Sequence, residues 1–175
     1  MTKLAVIYGS SRPSNVGETV ANWFVGEVGA GDGVEIELVD LAELNLPLIN
    51  EAMPPMMGQY ENQSTKDWAE KVSGYDAFVF VPAEYNRSFT PILKNALDTL
   101  YAEWNDKPAA FVSYSSGPSS NAVVALGPVM EALKIQAIEP NIHVSKIYEA
   151  IDEDGNLKPE NISGADPQAI IDALT

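Results

Sequence analysis

An α/β fold built on a doubly wound parallel sheet is what this sequence predicts: five strands in the order 2-1-3-4-5, with helices on both faces. Three observations carry that expectation. Apolar runs too short for helices, at Leu4–Tyr8, Ala77–Val81 and Lys107–Ser113, each break into a loop of small or polar residues. Each loop leads into a segment with apolar residues at helical spacing. The alternation of strand and helix continues along the chain without an internal repeat, heptad run or low-complexity tract.

Leu4–Tyr8 reads as the first strand, and Val20, Ala21, Phe24, Val25 and Val28 as the inner face of the helix after it. Val34–Asp40 alternates apolar with acidic residues, as an edge strand with one wet face does. Leu41–Gln63 is irregular, with Pro47, Pro54 and Pro55. Its apolar Leu46, Leu48, Met53, Met56 and Met57 suit a lid, a partner surface or a loop tucked onto the core equally well. Thr65–Ser73 reads as a helix capped by Ser64, with Trp68 and Val72 inward.

Ala77–Val81 is the third strand, ended by Pro82, which cannot donate a ladder hydrogen bond. Thr90 caps the next helix and Pro91 opens it. Ile92, Leu93, Ala96, Leu97 and Leu100 form a stripe sufficient for the sheet. Tyr101 and Trp104 are then surplus aromatics suited to a subunit contact, or, more simply, to covering the bottom of the core. Lys107–Ser113 is the fourth strand, Tyr114–Ser120 a loop of small residues and Asn121–Leu133 a helix. Gln136–Ile138 and Asn141–Val144 supply the fifth strand. Asp152–Asn156 is a polar turn without EF-hand spacing, and Pro167–Leu174 a closing helix.

Composition narrows the chemistry. A chain of 175 residues fits a single domain, 1–175. The formal net charge is −15, with Arg12 and Arg87 as the two arginines. Such a surface repels nucleic acid and anionic lipid, so neither is an expected partner. The absence of cysteine excludes disulfides, Fe–S clusters and thiolate chemistry. A lone histidine, His143, rules out a His-rich metal site, and no metal is expected. With no signal-peptide pattern and no apolar run near the ~20 residues of a membrane span, the expectation is a soluble, cytoplasmic protein.

In an open parallel sheet the ligand lies outside the carboxyl ends of the strands, and strands one and three meet at the switch point. The loop after strand one carries Ser10, Arg12, Asn15, Val16, Gly17 and Glu18. Backbone N–H groups, a hydroxyl, a guanidinium and the positive end of a helix together suit a phosphate. The loop lacks Gly-x-Gly-x-x-Gly and a terminal Gly-Lys-Ser/Thr, so a single terminal phosphate, as in FMN, fits better than a pyrophosphate or triphosphate. A plain polar strand-to-helix connection fits the same residues.

Pro82-Ala-Glu-Tyr-Asn-Arg-Ser-Phe89, followed by Leu93-Lys-Asn-Ala-Leu-Asp98, resembles the Pro-x-Glu-Tyr-Asn…Leu-Lys-Asn-Ala block of the NADPH-dependent FMN reductases. These are flavodoxin-like flavoenzymes that include quinone, azo-dye and chromate reductases. Gly9-Ser-Ser-Arg-Pro…Gly17 resembles the same family's phosphate loop, and the likeness runs from about Lys3 to Leu133. It implies that Pro82, Ala83, Glu84 and Tyr85 border an FMN ring, with the Asn86 backbone N–H near the flavin N5. Ser115, Ser116 and Gly117 approach from the third loop. It implies NADPH or NADH as donor and a quinone, similar small acceptor or free flavin as recipient. The flavin N5 is the reactive centre and no catalytic side chain is needed. It further implies a homodimer or homotetramer.

The chain departs from the family pattern in one place. Ser115-Ser116 and Ser119-Ser120 stand where relatives carry Gly-Gly pairs, and Asn121 follows. A serine adds a hydroxymethyl group against the ring or the nicotinamide. Arg87 and Lys94 are the basic candidates for a 2′-phosphate, and solvent-facing lysine and arginine are the plainer account. A flavodoxin-type FMN electron carrier, reduced by a partner protein, is the alternative reading, and a flavin-free domain on the same fold a third.

Overall fold

The computed structural model describes residues 1–13, 16–28 and 33–175. Strand β1 (Thr2–Tyr8) lies between β2 (Val34–Asp40) and β3 (Ala77–Val81), parallel to both. β4 (Pro108–Tyr114) continues the sheet beside β3. The expected 2-1-3-4 order therefore holds, and it places the ends of β1 and β3 side by side.

The fifth strand is divided. β5 (Gln136–Ala137) pairs with the start of β4, and β6 (Ile142–Val144) with its end, both parallel. Pro140 lies between them and has no N–H to give the ladder. Asn141 covers the gap, its side-chain oxygen accepting the Phe111 N–H at 2.9 Å. Beyond β6 the sheet gains an antiparallel edge strand, β7 (Ile162–Gly164), so the purely parallel, five-stranded expectation is extended. Gly164 sits at φ 108°, where a Cβ would lie 2.2 Å from the Asn141 carbonyl oxygen. No larger residue fits there without moving backbone.

Helices cover both faces. Leu4, Val6, Val79 and Val112 pack with Val20 and Phe24 of α1 (Val16–Val28) and Ile170 and Leu174 of the last helix (Pro167–Leu174). Alternate strand residues Ile7, Phe78 and Phe80 face the other way. They pack on a short helix α2 (Leu41–Leu44), α3 (Gln63–Ser73), α4 (Pro91–Asp98) and α5 (Asn121–Ala132). A four-residue helix, α6 (Ile147–Ala150), follows β6, which makes the last helix α7. Among the described residues no helix is long and apolar enough to cross a membrane.

Three local expectations change. Trp104 is not surplus: α4 stops at Asp98, and a 3-10 turn at Ala102–Trp104 curls the indole back under the sheet. There it is 1% exposed, meets Phe78 and Trp68 edge-on at 5.0 and 5.9 Å, and donates to the Leu97 carbonyl. Helix α3 begins at Gln63 with Asn62 in the cap position, so Ser64 lies inside it. The reason is Glu51, whose carboxylate accepts the N–H groups of Glu61 and Asn62 just before the helix. The stretch Leu41–Gln63, expected to be irregular, carries the helix α2 at Leu41–Leu44 and a 3-10 turn at Pro55–Met57, and its remainder is well anchored. Asn95 of α4 accepts the Ile49 N–H at 3.0 Å and donates to the Pro47 carbonyl at 2.9 Å. Tyr60 donates to Glu103 at 2.9 Å, and burial with this neighbour raises its hydroxyl pKa.

Candidate functional site

The site is built where β1, β3 and β4 end. After β1 the chain turns at Gly9, where a Cβ would meet Leu41 and Ile92 at about 3.0 to 3.1 Å. Thr90 caps α4 by accepting the Leu93 N–H, and its hydroxyl donates to the Gly9 carbonyl at 3.0 Å. One threonine thus locks the loop after β1 to the start of α4. Ser10, nearly buried, accepts the Arg12 N–H at 3.2 Å and shares a 2.9 Å hydrogen bond with the Tyr85 hydroxyl.

The loop after β3 is shaped by strand physics. Ala83 still bridges to Tyr114 in the parallel sense, which extends the β3–β4 pair past Pro82. Tyr85 and Ser88 then exchange backbone hydrogen bonds at 2.7 and 3.0 Å around Asn86 and Arg87, whose φ angles are 49° and 66°. Two successive positive φ values close a two-residue hairpin of the I′ kind, which asparagine tolerates well. Asn86 is exposed at its tip, and its N–H donates to no acceptor among the described residues.

Glu84 is committed elsewhere. Its carboxylate accepts the Asn121 N–H at 2.8 Å and the Asn121 side-chain amide at 2.9 Å. The charge sits at the amino end of α5, where the helix dipole favours it. Glu84 therefore ties the second loop to the third through Asn121, the residue that follows the second serine pair.

The third loop folds around Ser115. This hydroxyl accepts the Gly117 N–H at 3.1 Å and reaches the carbonyls of Gly117 and Ser119 at 3.2 and 3.1 Å. The Ser115 side chain turns inward and organises the loop, whereas Ser116 is exposed at the cleft.

These loops border one cleft of about 530 Å³, with the solvent at its mouth included. Of the sequence-predicted residues, Ser10, Arg12, Val16, Ala83, Glu84, Tyr85, Ser115 and Ser116 line it. Pro82 is buried behind the wall, Gly17 is buried on α1, and Gly117 is half-buried in its loop. Glu18 and Asn86 face solvent outside the lining, and Asn15 lies outside the described residues. Sequence reasoning missed Tyr114, Ile147 and Tyr148, which complete the lining. Tyr114 ends β4, and the other two open α6 just after β6, so position past a strand's carboxyl end was the available signal.

The electrostatics are those of an anion site in an acidic molecule. Arg12 is exposed, and its guanidinium donates to the Tyr148 hydroxyl at 3.4 Å, which raises its pKa further. Burial raises the Tyr114 hydroxyl as well. Lys94 is paired with Asp98 on its own helix, so it is not free to serve the cleft. No cluster of metal-ligating side chains occurs among the described residues. The Ser10 hydroxyl, the Arg12 guanidinium and Val16 at the amino end of the thirteen-residue α1 line the cleft together with aromatic and small residues, and Ser10 and Arg12 hydrogen-bond to the Tyr85 and Tyr148 hydroxyls. A phosphate-tailed planar ligand suits that set of groups.

The NADPH-dependent FMN reductase family matches residues 2–149. An NAD(P)H-dependent FMN reductase of Schizosaccharomyces pombe is 41% identical over 137 residues, covering 77% of this chain and 68% of that protein. An NADPH:quinone oxidoreductase of Arabidopsis thaliana is 30% identical over 135 residues, covering 73% and 67%. Among solved structures, the flavoenzyme NAD(P)H:(acceptor) oxidoreductase FerB of Paracoccus denitrificans superposes with a TM-score of 0.71 at 23% identity. It covers 99% of this chain and 95% of its own, so the flavodoxin-like architecture is shared throughout. From the start of β1 into α6, the chain belongs to the NADPH-dependent FMN reductase family.

Proposed function

We propose that this chain is an FMN-dependent NAD(P)H oxidoreductase that passes hydride equivalents from a nicotinamide to a quinone, a similar small acceptor or free flavin. The observation that carries the reading is the convergence of three loops on one cleft, lined by Ser10 and Arg12 from the first, Ala83 and Tyr85 from the second and Ser116 from the third. Ser10, Arg12 and the start of α1 would hold the FMN phosphate, with Asn15 to Glu18 completing the loop. Ala83 and Tyr85 would border the ring, backed by Pro82, and the unpaired Asn86 N–H would serve its polar atoms. Ser116 would approach from the opposite side, on a loop shaped by Ser115 and Gly117. Bound FMN supplies the hydride chemistry. The protein's part is to orient, to exclude water and to leave one approach open. Arg87, exposed on the hairpin without an ion pair among the described residues, is the remaining candidate for a nicotinamide 2′-phosphate.

The proposal extends to one FMN-binding domain over 1–175, to a cytoplasmic setting where NAD(P)H is present, and to a homodimer at least. The test is direct. FMN-loaded protein is mixed anaerobically with NADPH or NADH, and the oxidised flavin band should bleach, then return when a quinone is added. A band that stays until a separate reductase is added replaces this reading with that of an electron carrier, which the net charge of −15 would suit for docking on basic partners.

A further inference from the structure

Beneath the third loop of the cleft lies the chain's one histidine, which the chemistry above does not use. His143 stands on β6 opposite Ser113 of β4. Its Nδ1 is 2.9 Å from the Ser113 hydroxyl. Its Nε2 is 3.3 Å from the Gly117 carbonyl oxygen and 3.4 Å from the Ser115 hydroxyl. A carbonyl oxygen only accepts, so the Gly117 contact requires the proton on Nε2. In the neutral ring Nδ1 is then the acceptor of a hydrogen bond from the Ser113 hydroxyl, whose other acceptor within reach, the Ile142 carbonyl oxygen, is farther at 3.3 Å. The imidazole is half-buried, while Ser113 and Ser115 are 2% and 5% exposed.

The loop therefore has two internal anchors. One is the Ser115 hydroxyl, around which Gly117 and Ser119 fold. The other is the imidazole, which connects that fold to the sheet. Strand-end hydrogen bonds fix only the base of the loop: Ser115 N–H donates to the Val144 carbonyl, and Ile147 N–H to that of Ser115. The stretch from Ser116 to Ser119 contains Gly117 and has many conformations open to it, each of which a further anchor restricts.

We propose that His143 is a positioning residue for the cofactor: from β6 it sets the path of the loop Ser115–Ser119 and, through that loop, its contact with the isoalloxazine ring. The inference rests on the flavin reading of the cleft. It distinguishes the ring end of the site from the phosphate end, because among the described residues the imidazole hydrogen-bonds to the third loop and to nothing in the β1 loop.

A chain with one histidine gives one set of imidazole resonances, so the test needs no variant to begin. In ¹⁵N-labelled protein at fixed pH the ring should show the Nε2–H tautomer, and saturating FMN should shift its resonances. Riboflavin, which has the ring without the phosphate, should shift them as well. By fluorescence titration, His143→Ala should weaken FMN and riboflavin by the same factor, about tenfold, the scale of lost hydrogen bonds. His143→Gln retains an amide N–H for the Gly117 carbonyl and should stay within about threefold of the wild type. Imidazole resonances unmoved by saturating FMN, or unchanged flavin affinity in folded His143→Ala, would overturn the inference alone. Wild-type protein that binds no flavin overturns the flavin reading and this inference with it. Should His143→Ala not fold, the wild-type resonances decide.

Discussion

Arg12 and Arg87 are the chain's two guanidiniums, and the structure gives them different stations. Arg12 lines the cleft beside Ser10, and Arg87 stands outside it on the hairpin tip. Arg12→Ala should weaken FMN by roughly 10- to 100-fold, the scale of hydrogen bonds to a charged group, while leaving riboflavin affinity unchanged. Because the side chain is exposed, the melting temperature should stay near that of the wild type. Equal losses for FMN and riboflavin would move Arg12 from the phosphate to the ring. Arg87→Ala should raise KM for NADPH several-fold, roughly the effect of losing one exposed ion pair, with KM for NADH unmoved. If both nicotinamides suffer alike, Arg87 is not reading the 2′-phosphate. Glu84 acts as a strut between two loops: each of its carboxylate oxygens accepts a hydrogen bond from Asn121.

Between elements, the joints decide what the helices and strands can present. The segment 45–62 is held at one end by Asn95 and at the other by Glu51. Hydrogen bonds from the N–H groups of Glu61 and Asn62 hold the Glu51 carboxyl down at about 2. A depressed carboxyl pKa means that its stabilisation is complete above the unfolded value of about 4.3 and is lost as pH falls toward the folded one. Amide exchange at Glu61 and Asn62 should therefore lose protection, relative to core amides, between about pH 4.5 and pH 2. Glu51→Gln should remove most of that pH dependence. A protection profile flat across that window would disconnect Glu51 from the loop. Joints of this kind are what the sequence conceals. The β3–α4 block was legible because Pro82, Thr90 and Pro91 are strong local punctuation. The break between β5 and β6 depends on the Asn141 side chain meeting Phe111, thirty residues away. β7 is three residues long and carries no alternation to read. Trp104 fits a helical stripe on paper, yet the helix ends at Asp98 and a 3-10 turn redirects it. The same limit applies to the site: Ser10, Arg12 and Tyr85 lie in recognisable motifs, whereas Ile147 and Tyr148 reach the cleft only because β6 brings α6 beside it.

For the molecule as a whole, charge and apolar surface act in opposite directions on self-association. With a net charge of −15, two copies repel one another at most relative orientations. One region is different. Leu48, Met56 and Met57 are 78%, 66% and 55% exposed, and Ile49 and Met53 add to them along the same segment. This surface is not a slack loop, because Asn95, Glu51 and the Tyr60–Glu103 hydrogen bond hold it. Between Leu48 and Met57 the one acidic side chain, Glu51, is turned to backbone N–H groups, while Glu61 stays exposed at the far end of the segment. Rigid, exposed apolar side chains with little free charge are what a subunit contact needs, and a two-fold pairing is the commonest closed solution. The inward turn of Trp104 removes the aromatic argument from the end of α4 and leaves the weight on this segment. Light scattering at micromolar protein should give twice the chain mass of 18.9 kDa. Added salt should strengthen the pairing, since it screens the repulsion and leaves the apolar contact intact. Leu48→Glu with Met56→Glu should yield a folded monomer, as both side chains are already in water and their replacement disturbs no core. Wild-type protein that remains a monomer at high salt rules out this contact. A monomeric double variant that still turns over NADPH with a quinone at the wild-type rate would show that pairing is not required to complete the site.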